Sequence, residues 1–185
     1  MRRIIIYLLL QISTIQFFYS QQKEELPPLT TKERIYWGTD FNLQIEGNVS
    51  LFELAPSIGY RLYRPVYLGL RFPYELYRQN QFTRKYYTQN IAVRPFTNII
   101  VIDNFSKLLP IKSRAGLMLN AEYEILSFNN KHNTNRELSD VFLLGVGFFQ
   151  KSNKKSAVYI SLMFNISNNQ YVYYKNPLVR LGFTF

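Results

Sequence analysis

Arg34–Glu46, RIYWGTDFNLQIE, is the stretch whose reading decides the fold. Ile35, Trp37, Thr39, Phe41, Leu43 and Ile45 alternate with Tyr36, Gly38, Asp40, Asn42, Gln44 and Glu46. Successive side chains of an extended chain point to opposite faces, so a period of two predicts a strand with one apolar, aromatic face and one polar face along its full length. No long stretch elsewhere in the chain keeps a helical period. Alternation alone does not say which face meets water.

The same pattern recurs on either side of polar or Gly/Pro/Asn breaks. Gly47 and Asn48 predict a tight turn. Val49–Leu62 then sets Phe52, Leu54, Pro56, Ile58, Tyr60 and Leu62 against Glu53, Ala55, Ser57, Gly59 and Arg61. After Tyr63, Arg64 and Pro65, a third run sets Val66, Leu68, Leu70 and Phe72 against Tyr67, Gly69 and Arg71. Tyr77–Lys85 reads as a polar loop, and Tyr86–Phe96 as the fourth run. Thr97–Ile111 reads as irregular, with Ile99–Ile102 either a strand end or a packed turn. The fifth run is Arg114–Leu126, followed by a polar loop over Ser127–Ser139. Asp140–Gln150 and Ala157–Ile166 are the sixth and seventh runs, joined by a basic turn at Lys151–Lys155. After the Asn- and Tyr-containing segment Ser167–Lys175, the chain closes on NPLVRLGFTF. There Pro177, Val179, Leu181, Phe183 and Phe185 share one face, and Leu178, Arg180, Gly182 and Thr184 the other.

Eight runs of about ten residues match strands that cross a bilayer at a tilt, and an even count suits an antiparallel barrel. The polar faces carry Asp40, Glu46, Glu53, Arg61, Arg71, Arg94, Arg114, Glu122, Glu124 and Arg180, with both charge signs present. Burying these in an apolar core would cost several kcal/mol each without compensation. Turning the apolar faces to water would expose more contiguous greasy area than a soluble monomer tolerates. An eight-stranded antiparallel up-and-down transmembrane β-barrel satisfies both conditions, with apolar faces toward lipid and a salt-bridged charge network in the lumen. The narrow interior of such a barrel is filled by side chains, so no open pore is expected. A soluble exported β-barrel or sandwich, its charged face simply solvated, is the alternative, and an apolar ligand would be its cargo.

The ends of the chain bear on location. Arg2 and Arg3 precede the apolar run Ile4–Leu10, and Ser20 precedes Gln21, which is the layout of a cleaved secretory signal peptide over 1–20. Gln11, Ser13, Thr14 and Gln16 interrupt that run before it reaches the ~20 apolar residues of a spanning helix. Residues 21–33, with Pro27 and Pro28, read as a periplasmic lead-in, and 34–185 as the barrel. The chain has no cysteine, which excludes a disulfide framework, a thiolate metal site and a lipidated cysteine behind the signal. Its formal charge is +10, and loss of Arg2 and Arg3 would leave about +8. The basic residues form no clustered tract and no nucleic-acid motif, so nucleic acid is not expected as a partner. Anionic lipopolysaccharide or a solvated basic surface accounts for the charge. Fifteen Tyr, 15 Phe and 1 Trp, with Tyr74, Tyr77, Tyr86, Tyr87, Tyr171, Tyr173 and Tyr174 near run ends, fit aromatic girdles at a membrane interface.

Taken together, ELAPSIGYRLYRPVYLGLRFPYELY at Glu53–Tyr77, AEYEILSF at Ala121–Phe128 and NPLVRLGFTF at Asn176–Phe185 resemble the small outer-membrane β-barrel proteins of Bacteroidetes. In that family a Pro-Ser-x-Gly-Tyr strand leads through a short turn into a Gly-containing strand, and an Asn-Pro-x-x-Arg-x-Gly-x-x-Phe strand ends the chain. The Thr97–Ile111 connection departs from the tight turn found there. The resemblance implies the outer membrane of a Gram-negative bacterium, contact with outer-membrane lipid and lipopolysaccharide, and delivery by the barrel-assembly machinery, with Phe183 and Phe185 in its recognition segment. It names no activity. With both termini in the periplasm, the connections at Gly47, Tyr77–Lys85, Ser127–Ser139 and Ser167–Lys175 face outward.

Catalytic chemistry is weakly signalled. His132, the sole histidine, lies near Ser127, Glu124, Glu137 and Asp140, a composition that a lipid deacylase or esterase would need. Asn129, Asn130, Lys131, Asn133 and Asn135 surround it with polar residues that offer no rigid support. No nucleotide loop, metal-ligand spacing or dinucleotide fingerprint occurs, so no cofactor and no enzymatic activity are expected.

Overall fold

The computed structural model describes residues 30–63, 65–81, 84–107, 114–129, 136–152, 156–167 and 176–185. The expected signal peptide over 1–20, the lead-in up to residue 29, His132, and Tyr171, Tyr173 and Tyr174 lie outside the described residues. The end of the lead-in is more ordered than expected: Thr31–Arg34 forms one helical turn, α1, running directly into the first strand. Thr30 and Glu33 have the Thr-x-x-Glu spacing of a capping box, which favours that turn.

Nine strands follow: β1 (Ile35–Glu46), β2 (Val49–Arg61), β3 (Val66–Arg71), β4 (Tyr74–Gln81), β5 (Arg84–Ile102), β6 (Ala115–Asn129), β7 (Arg136–Lys151), β8 (Ala157–Asn165) and β9 (Leu178–Thr184). Every pairing is antiparallel. β3 and β4 lie end to end between β2 and β5, so together they make one stave. Pro73 has no N–H to give the ladder, which explains the break. Phe72 N still donates to Pro56 O (2.9 Å), and Pro73 O accepts from Ala92 N (3.0 Å). β1 pairs β2 on one side and β9 on the other, from Gly38↔Thr184 to Asn42↔Arg180. Trp37 and Phe185 extend that seam through reciprocal backbone hydrogen bonds of 3.1 and 2.9 Å. The result is a closed eight-stave antiparallel barrel. Gly47, at φ 52°, supplies the left-handed residue of the two-residue β1–β2 turn.

Several expected loops are strand. Tyr77–Lys85 is mostly the end of β4 and the start of β5, paired from Tyr74↔Ile91 to Gln81↔Arg84. Tyr77 is buried inside the barrel, contrary to its expected place in a girdle, whereas Tyr74 and Tyr87 are exposed on the outer wall. Thr97–Ile102 completes the 19-residue β5, with an irregularity between Ile100 and Ile102. The Ser127–Ser139 loop shrinks at both ends, because Asn129 pairs with Arg136. At Thr97–Ile102 the strand end, one of the two readings of Ile99–Ile102, is what forms, and its alternation is masked because Ile99, Ile100, Val101 and Ile102 put apolar residues on both faces. The other two segments share a different cause. Where a hairpin extends beyond the apolar band, both of its faces carry polar side chains and the alternation that marks a strand fades.

The lumen is filled in layers. At the end where the β1–β2 turn lies, Leu51, Tyr77, Val141, Leu143, Met163 and Leu178 form an apolar cluster. Charged side chains occupy the middle. At the end where β1 begins and β9 finishes, Met118, Phe149 and Tyr159 pack together with Ile100.

Glycine makes room for the large members of these layers. Tyr36 faces Gly59, Phe96 faces Gly69, Phe149 faces Gly116 and Tyr159 faces Gly182 in direct cross-strand register. A Cβ at any of those glycines would collide with the ring opposite it. An interior this narrow cannot hold a side chain at every inward position. Gly182→Val is therefore expected to lower stability by about 1–3 kcal/mol through overpacking against Tyr159. Urea unfolding of the refolded barrel measures this, and an unchanged midpoint would show that the ring has room to move.

Candidate functional site: the ionic layer of the lumen

Because inward positions recur every second residue, charges scattered widely along the chain converge at one height in the barrel. Asp40 from β1, Glu53 from β2, Arg71 from β3, Arg94 from β5, Glu122 and Glu124 from β6, and Arg180 from β9 are all buried, none more than 2% exposed.

Arg94 is held from two sides. Its Nη1 and Nη2 donate to the two carboxylate oxygens of Glu53 at 2.8 and 3.2 Å, a bidentate fork. Its Nε donates to Glu124 Oε2 at 2.5 Å, and Glu122 Oε2 lies 3.6 Å from that Nε. Arg71 pairs through Nε with Asp40 (2.5 Å) and through Nη1 with Glu122, while its guanidinium carbon sits 3.9 Å from the centre of the Phe96 ring. Arg180 Nη1 pairs with Glu122, and its Nε lies 3.7 Å from Glu53. Glu122 thus touches all three guanidinium groups and is the hub of the network.

Tyr159, from β8, ties the aromatic layer to the ionic one. Its hydroxyl donates to Asp40 and accepts from Arg71 Nη2 at 3.4 Å.

Two of the expected lumen charges stand apart. Arg61 is half-buried at the end of β2, its guanidinium over the Tyr67 ring at 5.1 Å. Arg114 is exposed and precedes the first residue of β6. Both sit near the mouth of the barrel, where water solvates a cation and no partner is needed to offset desolvation.

The layer also contains residues that the sequence reading passed over. Glu75 is 1% exposed and accepts from Asn90 Nδ2 at 3.3 Å. Asn42 is equally buried. Glu75 was legible in principle, since Arg71, Pro73, Glu75 and Tyr77 keep one parity through the break at Phe72–Pro73.

This arrangement can hold strands together but offers little to a substrate. Its guanidinium groups are engaged by carboxylates in a closed, packed interior. Among the described residues, no group of His, Cys, Asp or Glu side chains is placed to hold a metal ion. The grouping proposed around His132 is divided by the wall: Glu124 points inward to Arg94, while Asp140 is exposed outside and accepts from the Tyr123 hydroxyl at 3.2 Å.

Neither a protein-family model nor a curated protein matches this chain. Among solved structures it is similar to the crystal structure of the N-terminal β-barrel domain of Pseudomonas aeruginosa OprF. The TM-score is 0.50 at 12% sequence identity, over 83% of this chain and 96% of that one. At that identity the likeness is one of fold, a closed β-barrel.

Proposed function

We propose that this protein is an integral β-barrel of a Gram-negative outer membrane, without catalytic activity, that serves as a structural element of the envelope or presents its loops to surface partners. The observation that carries this reading is the outer wall. Val158, Ile160, Leu162, Phe164 and Ile166 on the β8 side, and Val179, Leu181, Phe183 and Phe185 on the β9 side, are all exposed. The nine residues of β8 span about 30 Å, or about 21–25 Å along the normal at the usual barrel tilt, which matches the ~25 Å apolar band of a membrane barrel. A soluble carrier of an apolar ligand needs the reverse polarity, a greasy interior and a wet exterior. Contacts with lipid and lipopolysaccharide follow from the same wall and from the chain's basic balance.

Phe183 and Phe185 lie on this outer face of the closing strand, accessible to barrel-assembly machinery before β9 docks. Membrane fractionation and a heat-modifiability gel test the proposal together. The expected result is retention in the carbonate-washed pellet and a mobility change on boiling; release by carbonate with no change would overturn it. In the same gel, a chain ending at Thr184 is expected to reach its folded form more slowly in cells. A normal rate would remove the role given to Phe185.

A further inference from the structure

We propose that the lumen end where β1 begins and β9 finishes is a binding site for a small carboxylate with a short apolar chain, of acetate or propionate size. A cavity of about 90 Å³ lies there, between the ionic layer and the mouth. Its walls are apolar and aromatic. Tyr36 and Tyr67 meet edge to face, with centroids 5.5 Å apart, and Phe149 and Met118 supply the opposite side.

Three groups at this cavity can donate to a ligand. The Tyr36 hydroxyl is buried and has no hydrogen-bond partner among the described residues. A buried phenol without a partner is an uncompensated group that a ligand acceptor would satisfy. Asn98 uses its Oδ1 to accept from Asn120 (2.8 Å), which directs its amide N–H groups elsewhere. Lys151 adds a cation at the rim, where it pairs with Asp103.

Among the described residues no carboxylate lines the cavity itself; Asp103 holds Lys151 at its rim, and the layer beneath is rich in carboxylates. The unpartnered Tyr36 hydroxyl, the Asn98 amide and a lysine with N–H groups beyond the one that meets Asp103 together favour a charged acceptor. The aromatic walls of the cavity reject phosphate, whose further oxygens would be pressed unpaired against Phe149 and Met118. Size narrows the class. An apolar cavity of ~150 Å³ holds benzene, so this volume takes about four or five non-hydrogen atoms.

The test uses the refolded barrel in detergent micelles with labelled Met and Ile methyl groups, at constant ionic strength. Sodium acetate and propionate are titrated, with chloride, phosphate and hexanoate as controls. Saturable shifts at Met118 and Ile100 are expected for acetate and propionate alone. Tyr36→Phe is expected to weaken binding on the order of tenfold, the loss of one hydrogen bond to a charged acceptor. Lys151→Met should weaken it as well, and heat modifiability shows whether each variant is folded. Shifts that fail to saturate, equal shifts with chloride, or unchanged affinity in both folded variants would overturn the proposal.

Discussion

Arg94→Met is expected to destabilise the barrel by about 3–5 kcal/mol, the cost of removing one partner from a buried ion cluster. Arg94 is fully buried and holds Glu53 by a fork and Glu124 through Nε. Without it, two carboxylates from β2 and β6 remain in the interior with much less compensation. Methionine has similar length and fills the space, so the loss reports charge rather than a cavity. Urea titration of the heat-modifiable form in vesicles measures the change. Adding Glu124→Gln should restore part of the lost stability, because fewer charges are then stranded. A shift below ~1 kcal/mol in the single variant would mean that water reaches the layer and solvates the carboxylates. The wild-type network need not be a net source of stability. Replacing all its members with well-packed apolar residues is often neutral or favourable, so the expected loss is specific to a half-broken pair.

Leu162→Arg is the second large effect, and it bears on the environment of the outer wall. Leu162 lies midway along the exposed face of β8, flanked in register by Val146 and Val179. In a bilayer, an arginine at mid-depth on the lipid face costs about 2–4 kcal/mol, and about 0–1 near the interface. Leu138→Arg, near the start of β7 and next in sequence to the charged Arg136 and Glu137, is the matched control and is expected to cost little. Refolding into lipid vesicles with a urea titration gives both values. If the outer wall faced water, Leu162→Arg would be neutral or would improve solubility, and the two variants would behave alike.

The central parts of the strands were legible because the outer wall and the lumen impose opposite demands on alternate residues. Arg34–Glu46 and Asn176–Phe185 show that alternation cleanly, and both proved to be neighbouring staves. The strand ends around Arg78–Gln81 and Arg136–Ser139 were not legible, since neither demand applies where both faces are polar. Membership of the ionic layer followed from parity for Asp40, Glu53, Arg71, Arg94, Glu122, Glu124 and Arg180. Depth did not follow from parity, which is why Arg61 and Arg114 were grouped with residues that lie far deeper. Glu75 was hidden by the proline two residues before it. Partner choice, such as Glu122 serving three arginines or Tyr159 reaching Asp40, depends on register and on the narrow diameter of the closed wall. So do the glycine sockets, which become visible only when Tyr159 is seen beside Gly182.

The seam between β1 and β9 joins the beginning of the barrel to its end. Until β9 arrives, β1 and β8 each present an open row of backbone donors and acceptors, the condition under which strands recruit foreign chains. None of the hairpins made earlier can close that gap, because every one of them adds a stave while leaving two raw edges. Completion is therefore a single event that depends on the seven residues of β9. A barrel of this design stays open to misassociation throughout its assembly and becomes safe all at once, when β9 meets β1.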